Sequence, residues 1–483
     1  MRVLENLEPK EVFSYFEDIC SIPHGSGNTQ QISDYCVNFA KEHGLKCRQE
    51  ACGNVIIWKD ATSGYGQAPT VILQGHMDMV AVKDADCTLD LEKDGLLLEI
   101  DGDWVQAKGT SLGADDGIAV AYALAILAAD DIPHPALEAV FTVGEEVGLT
   151  GATALDASDL TGKILMNMDS ENDGIFLIGC AGAATVACCL PVKKETVSGQ
   201  MYDWHIDGLM GGHSGAEIDK NRANANSLLG KFLHGLDEKT DFELISVQGG
   251  QKDNAITREA TAEILVLEEN VDAVREYAAS VQGAWREEYA GTDEGITVTV
   301  EDEGKQEVRV LHPTSKEKVI FFLVNVPYGV QKMSGTIKGL VETSTNIGIL
   351  KTSENEVMGS SSIRSSVETA RDSLSDKIAY LTEFLGGEYE RQGVYPAWEY
   401  RKDSPLRDKM VEVYEEMYGQ KPNVVAIHAG LECGLFYKKM EGLDCVSLGP
   451  DMKDIHTSEE VLSISSTERV WKYLVKVLEA LKE

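Results

Sequence analysis

The stretch TVILQGHMDMV, residues 70–80, sets the reading of the whole chain. It opens as a short β-rich run, Thr70-Val-Ile-Leu-Gln74, and places His76 and Asp78 just beyond it. The pattern recurs. Leu137-Glu-Ala-Val-Phe-Thr-Val143 leads to Glu145-Glu146, Lys163-Ile-Leu-Met-Asn-Met168 leads to Asp169, and Leu443-Asp-Cys-Val-Ser-Leu448 precedes His456. Residues 117–129 are apolar almost all round, which predicts a helix buried inside the fold, with Asp115-Asp116 at its entrance. Short β-rich runs alternating with helical patterns predict an α/β fold on a mainly parallel sheet. In such a sheet the carboxyl ends of the strands form one rim, and ligands bind there.

Working outward, residues 30–43 place Ile32, Tyr35, Cys36, Phe39 and Ala40 on one helical face, so the α/β texture reaches towards the N-terminus. Near Cys188-Cys189-Leu190-Pro191 the texture changes. From there to about Tyr395, strand–helix–strand–strand patterns occur in two rough copies, resembling a doubled two-layer α+β module. The α/β texture returns at Tyr395-Pro396. Ser404-Pro405 supplies an N-cap and a first-turn proline, and Gly419 ends that helix. No low-complexity linker interrupts the chain, so the middle region reads as an insertion. The expected division is 1–185 and 396–483 as two parts of one α/β domain, with 186–395 inserted between them.

A chain of 483 residues predicts two or three domains. Hydrophobic residues at 43% and charged residues at 25% give the profile of a soluble globular enzyme. Forty-three Lys and Arg stand against 80 Asp and Glu, and the resulting charge of −37 repels phosphate backbones, so nucleic acid is not an expected partner. The N-terminus carries acids early and no apolar stretch, unlike a signal peptide. The longest apolar run, 118–129, is too short to span a bilayer, so no membrane association is expected. Ten scattered cysteines without CxxC spacing read as reduced thiols and point to the cytoplasm.

His76 and Asp78 are two apart, so in extended backbone both side chains point the same way. One can bind metal while the other orients it, although HxD alone fits a satisfied turn histidine better. Asp115-Asp116 alone also reads as an acidic N-cap. Glu145-Glu146, between a hydrophobic strand and Gly148, would repel each other without a cation or a raised pKa. Such a pair can divide the labour, one carboxylate binding metal and the other holding a proton from water; the plain alternative is an exposed loop tip. Asp169-Ser-Glu171-Asn-Asp173-Gly174 resembles the start of an EF-hand loop, but its twelfth position is Cys180 and a strand precedes it, which rejects calcium. Together, two histidines and several carboxylates with no thiolate suit two hydrolytic zinc ions sharing a carboxylate. No HExxH is present.

A rival pattern is Gly109-Thr-Ser111-Leu-Gly113, which matches GxSxG, with Asp451 and His456 completing the order of a serine hydrolase. Residues 113–116 intervene before the helix, however, and the remaining acids and His76 are left without purpose. A non-catalytic metal protein on the same scaffold would have no use for Glu145.

The order HMD (76–78), GADDG (113–117), EE (145–146), DSE (169–171) and a late His456 resembles the clan of co-catalytic di-zinc aminoacylases and dipeptidases. Within it, IPHGSGN (22–28), LGADDGIA (112–119), GGHSGAEI (211–218) and IHAGLECGLF (427–436) are similar to the Xaa-His, or aminoacyl-histidine, dipeptidase family. The similarity runs from about Pro23 to His456. It implies that His76, Asp115 and Asp169 hold one zinc and Asp115, Glu146 and His456 the other, with Co²⁺ or Mn²⁺ as substitutes. It implies that Asp78 orients His76, that Glu145 is the general base, and that His213 stabilises the oxyanion. Asn254, Arg364 and Glu432 would grip the substrate termini. GADDG has Asp116 where relatives carry Asn or Asp, and it lacks the Lys common elsewhere in the clan; both departures leave substrate range open. The resemblance thus implies a mainly parallel-sheet catalytic domain interrupted by an α+β lid, hydrolysing Xaa-His or a broad range of dipeptides. A tripeptidase or N-acyl amino acid hydrolase is the alternative within the clan. Small peptides as substrates and a homodimeric assembly are expected.

Overall fold

The run around residue 73 forms the strand Val71–His76, buried along its whole length. The computed structural model describes residues 2–482, and this strand lies inside an eight-stranded sheet. From one edge the order is Lys46–Gln49, Val55–Lys59, Leu137–Thr142, Val71–His76, Ile164–Asn167, Asp444–Ser447, Ile175–Cys180 and Asn423–Ile427. The four strands from Leu137–Thr142 to Asp444–Ser447 run parallel. They carry the near-continuous apolar runs of strands covered on both faces. Lys46–Gln49 and Val55–Lys59 at one side, and Ile175–Cys180 at the other, pair antiparallel. The sheet is therefore parallel at its centre and mixed overall.

The apolar helix runs Ala114–Ala128 and is buried from Ala114 to Leu127. It packs on Val71–His76 on one side and on the helix Lys10–Cys20 on the other. Full burial of side chains such as Ile118, Leu124 and Ile126 contributes about 1.5–3 kcal/mol each. Gly75 permits the close approach: a Cβ there would stand 2.5 Å from the Ala119 Cβ and 2.7 Å from Asp116 Oδ2. The helix expected after Ser404 runs Pro405–Tyr418; Ser404 accepts from the Arg407 N–H, and Gly419 closes it at φ 70°. Tyr473, on the helix Ile464–Ala480, donates to the Met410 carbonyl at 2.7 Å, stacks on Phe176 and meets Tyr414 edge to face.

The chain divides into two compact units. The first comprises Met1–Cys180, Tyr400–Ala426 and Leu431–Glu483; the second comprises Ala181–Glu399 and Ile427–Gly430. The second unit holds an antiparallel sheet ordered Thr297–Leu311, Lys194–Asp207, Ala260–Val266, Phe242–Gly249, Val341–Thr352, Glu356–Ser365, Gly182–Pro191 and Glu388–Tyr395, with Gly329–Met333 also paired to Val341–Thr352. Helices Ala225–Asp237, Val271–Glu288, Pro313–Asn325 and Glu368–Phe384 contribute to one core around Trp204, Phe232 and Phe322. The change of unit falls at Ala181, ahead of the composition change, because Gly182–Pro191 already pairs with Glu356–Ser365. Ile427–Gly430 joins the second unit through the bond from Ala181 N–H to the Ala429 carbonyl (2.9 Å) and a 2.7 Å contact between His428 Nε2 and Ser344 Oγ. Among the described residues no helix is long and apolar enough to cross a membrane. All ten cysteines are free.

Candidate active site

Within the first unit, the ends of the parallel strands and the entrance of the buried helix bring the expected ligands together. His76 terminates Val71–His76 and is 1% exposed. Its Nδ1 lies 2.9 Å from the Asp78 carbonyl oxygen, an acceptor, so Nδ1 carries the proton and Nε2 faces the carboxylates. Nε2 stands 3.1 Å from Asp115 Oδ1 and 4.0 Å from Asp169 Oδ1. Asp78 was expected to orient His76 through its carboxylate. Its main-chain carbonyl makes the closer contact, while Oδ1 is 3.6 Å from Nδ1. The carboxylate accepts from the Ser26 hydroxyl (2.8 Å) and from the Glu145 N–H (3.1 Å), tying the IPHGSGN segment to the paired glutamates.

Asp115 stands at the centre. Its Oδ1 faces His76 Nε2, and its Oδ2 is 3.2 Å from His456 Nε2, so one carboxylate spans two imidazoles. His456 Nε2 is also 2.9 Å from Glu146 Oε1. Ligand atoms of Asp115, Glu146 and His456 lie within 4.8 Å of one another, as do those of His76, Asp116 and Asp169, and those of His76, Glu145 and Glu146. Asp116, not counted among the expected ligands, thus belongs to the cluster; its Oδ2 also accepts the His76 N–H at 3.1 Å. Sequence reasoning missed Glu460 as well. Its buried carboxylate accepts from the N–H groups of Leu112 (2.8 Å), Gly113 (3.0 Å), Ala114 (2.8 Å) and Asp115 (3.3 Å). Four amides converge on one anion and fix the backbone that presents Asp115.

The electrostatics follow from this crowding. Burial pushes the Glu145 carboxyl up to about 8, with His76 opposing and Glu432, Glu146 and Asp115 reinforcing. Asp116 and Asp169 are raised well above the ordinary range, first by burial. Burial would also raise Asp115, but hydrogen bonds from His456 and His76 overcome it and hold the carboxyl low. Burial opposes protonation of His76, yet its bond to Asp115 and the surrounding carboxylates raise it well above the usual value. His456 is lifted to about 10, chiefly by hydrogen bonds to Asp115 and Glu146. Among the described residues, the ion pairs found for Asp115, Glu146 and Asp169 are with these two histidines. A nitrogen and oxygen donor set without sulfur, concentrated negative charge, and a carboxylate between two imidazoles together fit divalent metal ions.

Two further expectations meet the geometry differently. Ser111 is fully buried, its hydroxyl donating to the Val80 carbonyl (2.7 Å) and accepting from the Val82 N–H (3.1 Å), so it is a structural serine and not a nucleophile. Glu432, expected at the substrate termini, has no exposed surface; Gln74 and Thr142 donate to its Oε2, and burial raises it to about 7.

In the second unit, His213 sits in the two-residue strand Gly212–His213, paired with Ala255–Ile256. Its Nδ1 accepts the N–H groups of Gly215 (3.2 Å) and Ala216 (3.0 Å), which leaves the proton on Nε2. Burial, then Arg364, lowers its pKa, so it stands as a neutral N–H donor. Asn254 is exposed, and its carbonyl accepts the Ser214 N–H at 2.9 Å. Arg364 donates to the Tyr395 hydroxyl at 3.1 Å. His428, inside the IHAGLECGLF segment but not picked out there, is lowered to about 4 by burial and then by Arg364.

Comparison with known proteins gives the family of the chain. The chain is 37% identical over 480 residues to the cytosol non-specific dipeptidase of Escherichia coli K12, covering 99% of each. The crystal structure of aminoacylhistidine dipeptidase from Vibrio alginolyticus superposes with a TM-score of 0.91 at 37% identity, covering 99% of this chain and 98% of that one. An aminopeptidase from Bacillus cereus shares the fold at a TM-score of 0.59 and 15% identity. Residues 72–480, which carry all the metal-binding candidates from His76 to His456, match peptidase family M20/M25/M40, and the chain belongs to that family.

Proposed function

We propose that this chain is a cytoplasmic di-zinc dipeptidase acting on Xaa-His or a broad range of dipeptides. The observation that carries the reading is the Asp115 carboxylate, set between His76 and His456 at 3.1 and 3.2 Å. The names of the Escherichia coli and Vibrio alginolyticus relatives support the dipeptide substrate, and the former, with ten free cysteines, supports the cytosol. His76, Asp115 and Asp169 hold one ion and Asp115, Glu146 and His456 the other, with Co²⁺ or Mn²⁺ able to replace zinc. Such ions, when bound, supply Lewis acidity towards a peptide carbonyl and water.

The protein's own groups do the rest. Glu145 takes a proton from the attacking water and passes it to the leaving amine as the C–N bond breaks. Asp78 fixes Glu145 through its main-chain N–H and holds the ring of His76. His213 donates its Nε2 proton in a hydrogen bond to the carbonyl oxygen as negative charge develops there. Asn254 and Arg364 engage the substrate termini, and Glu432 holds Gln74 and Thr142 on the two strands at whose ends His76 and Glu145 stand. Exposed Tyr380 and Phe384, one turn apart on Glu368–Phe384, support a homodimeric assembly.

The test is hydrolysis of a panel of dipeptides, histidine-terminated ones included, with tripeptides and N-acyl amino acids alongside, before and after chelation. Dipeptide turnover that is lost to chelator and restored by zinc, with about two ions per chain by elemental analysis, is expected. Chelator-resistant turnover, or cleavage of tripeptides or N-acyl substrates alone, overturns the reading.

A further inference from the structure

The two-stranded ladder that carries His213 is small. It consists of Gly212 opposite Ile256 and His213 opposite Ala255, with Ser214 N–H bonded to the Asn254 carbonyl alongside. So short a ladder supplies little rigidity by itself. The support comes from a fully buried side chain in the neighbouring sheet.

Asn346, on the strand Val341–Thr352, donates through its amide to the carbonyls of Asp253 (2.9 Å) and Ala255 (2.8 Å), the residues on either side of Asn254. The amide orientation is fixed by this, because the flipped form would set an oxygen against two acceptors. Its Oδ1 accepts from Asn224 Nδ2 at 3.0 Å, and Asn224 in turn caps Ala225–Asp237 by accepting the Ser227 N–H. One residue further along the same strand, the Ile347 carbonyl accepts from the Thr257 hydroxyl at 3.1 Å. A sheet residue and a helix cap thus converge on the segment 253–257, which bears Asn254 and pairs with His213.

We propose that Asn346 is a positioning residue that sets the placement of Asn254 and His213 without touching substrate. An apolar residue would pack more cheaply in that strand, since a buried amide must have its hydrogen-bonding capacity met. Here the donors are spent on an irregular segment whose exposed side chain is Asn254. The inference rests on the reading of His213 as the donor to the carbonyl oxygen.

The experiment uses full-length, metal-loaded protein carrying Asn346→Asp, which keeps the shape and turns an acceptor towards both carbonyls. Turnover, KM, metal content and thermal unfolding are measured on it, on His213→Ala and on the double variant. A fall in kcat/KM of about 10- to 100-fold is expected from displacement on the order of 1 Å, with metal content unchanged. In the His213→Ala background the same change should cost only about two- to threefold, because His213, one of the two groups it places, is gone and only the placement of Asn254 is still lost. Equal losses in both backgrounds, or a folded Asn346→Asp protein with parental kinetics, overturn the proposal. Parental activity of His213→Ala overturns the underlying reading of His213 and this inference with it, an outcome distinct from failure of Asn346 alone. If Asn346→Asp does not fold, Asn346→Ser, with one shorter donor, carries the same cycle.

Discussion

Replacing Glu460 by glutamine changes one atom and tests how the backbone before the buried helix is held. Glu460 Oε1 accepts from Ala114 and Asp115, and Oε2 from Leu112 and Gly113. An amide keeps one pair and turns an NH₂ group towards the other, so two buried N–H donors lose their acceptor. Each such orphan costs about 1–3 kcal/mol, giving about 2–6 kcal/mol for the pair. The lower half of that range is expected. Burial already pushes the Glu460 carboxyl above its ordinary range, against the pull of the amides, and the neutral side chain escapes that cost. Because Asp115 N–H is one of the four donors, the Asp115 carboxylate loses its fixed presentation too, and metal affinity should fall by about 10- to 100-fold. Denaturant unfolding of metal-free protein and competition titration with a chromogenic chelator measure the two effects. An unfolding free energy within about 0.5 kcal/mol of the parent, together with unchanged metal affinity, would refute the reasoning.

Glu145→Gln should keep its metal and lose about 10²–10⁴-fold in turnover, whereas Glu146→Gln should lose occupancy of one ion first; metal stoichiometry and turnover on both decide which is the base. Asp115→Ala should release both ions together, since each depends on that carboxylate, and retention of one full equivalent by elemental analysis would argue against sharing. Acid sensitivity of the second unit should trace partly to His428, whose folded pKa of about 4 lies below its ordinary 6.5. Below pH 6.5 the unfolded chain binds the extra proton, so this contribution is full above that pH and lost as pH falls towards 4, about 3 kcal/mol in all. His428→Asn should flatten that portion of the stability–pH curve; an unchanged slope between pH 6.5 and 4 would count against the buried neutral imidazole.

The central strands and several metal-site candidates were legible because each is written locally: an apolar run, then a candidate ligand at or beyond its carboxyl end. Val71–His76, Leu137–Thr142 and Ile164–Asn167 all follow that form. The helix Pro405–Tyr418 was equally plain, since its cap and its terminating glycine are adjacent to it. Strand direction is not encoded locally, so the antiparallel flanks of the first sheet did not show. The supporting residues were hidden for a related reason. Glu460 meets its partners some 345 to 348 positions away, and Glu432 meets Gln74 across 358. Asn346 sits in an ordinary β-rich run, and nothing beside it announces two carbonyls from a distant loop. Ile427–Gly430 is too short for any periodicity to assign it to one unit or the other.

The position of Asp444–Ser447, hydrogen-bonded between Ile164–Asn167 and Ile175–Cys180, also bears on how the protein is made. About 280 residues must be synthesised between the first of these strands and the one that covers its free side, which takes on the order of 15–55 s at typical ribosomal rates. Throughout that interval Ile164–Asn167 offers unpaired backbone groups and strongly apolar side chains to any neighbouring chain, the exposure that nucleates edge-to-edge association. The second unit, nearly all of it contiguous in the chain, can complete its own sheet in the meantime. A nascent chain released before residue 444 would therefore carry a finished second unit beside a first sheet open along its middle, and would be directed towards aggregation or chaperone capture.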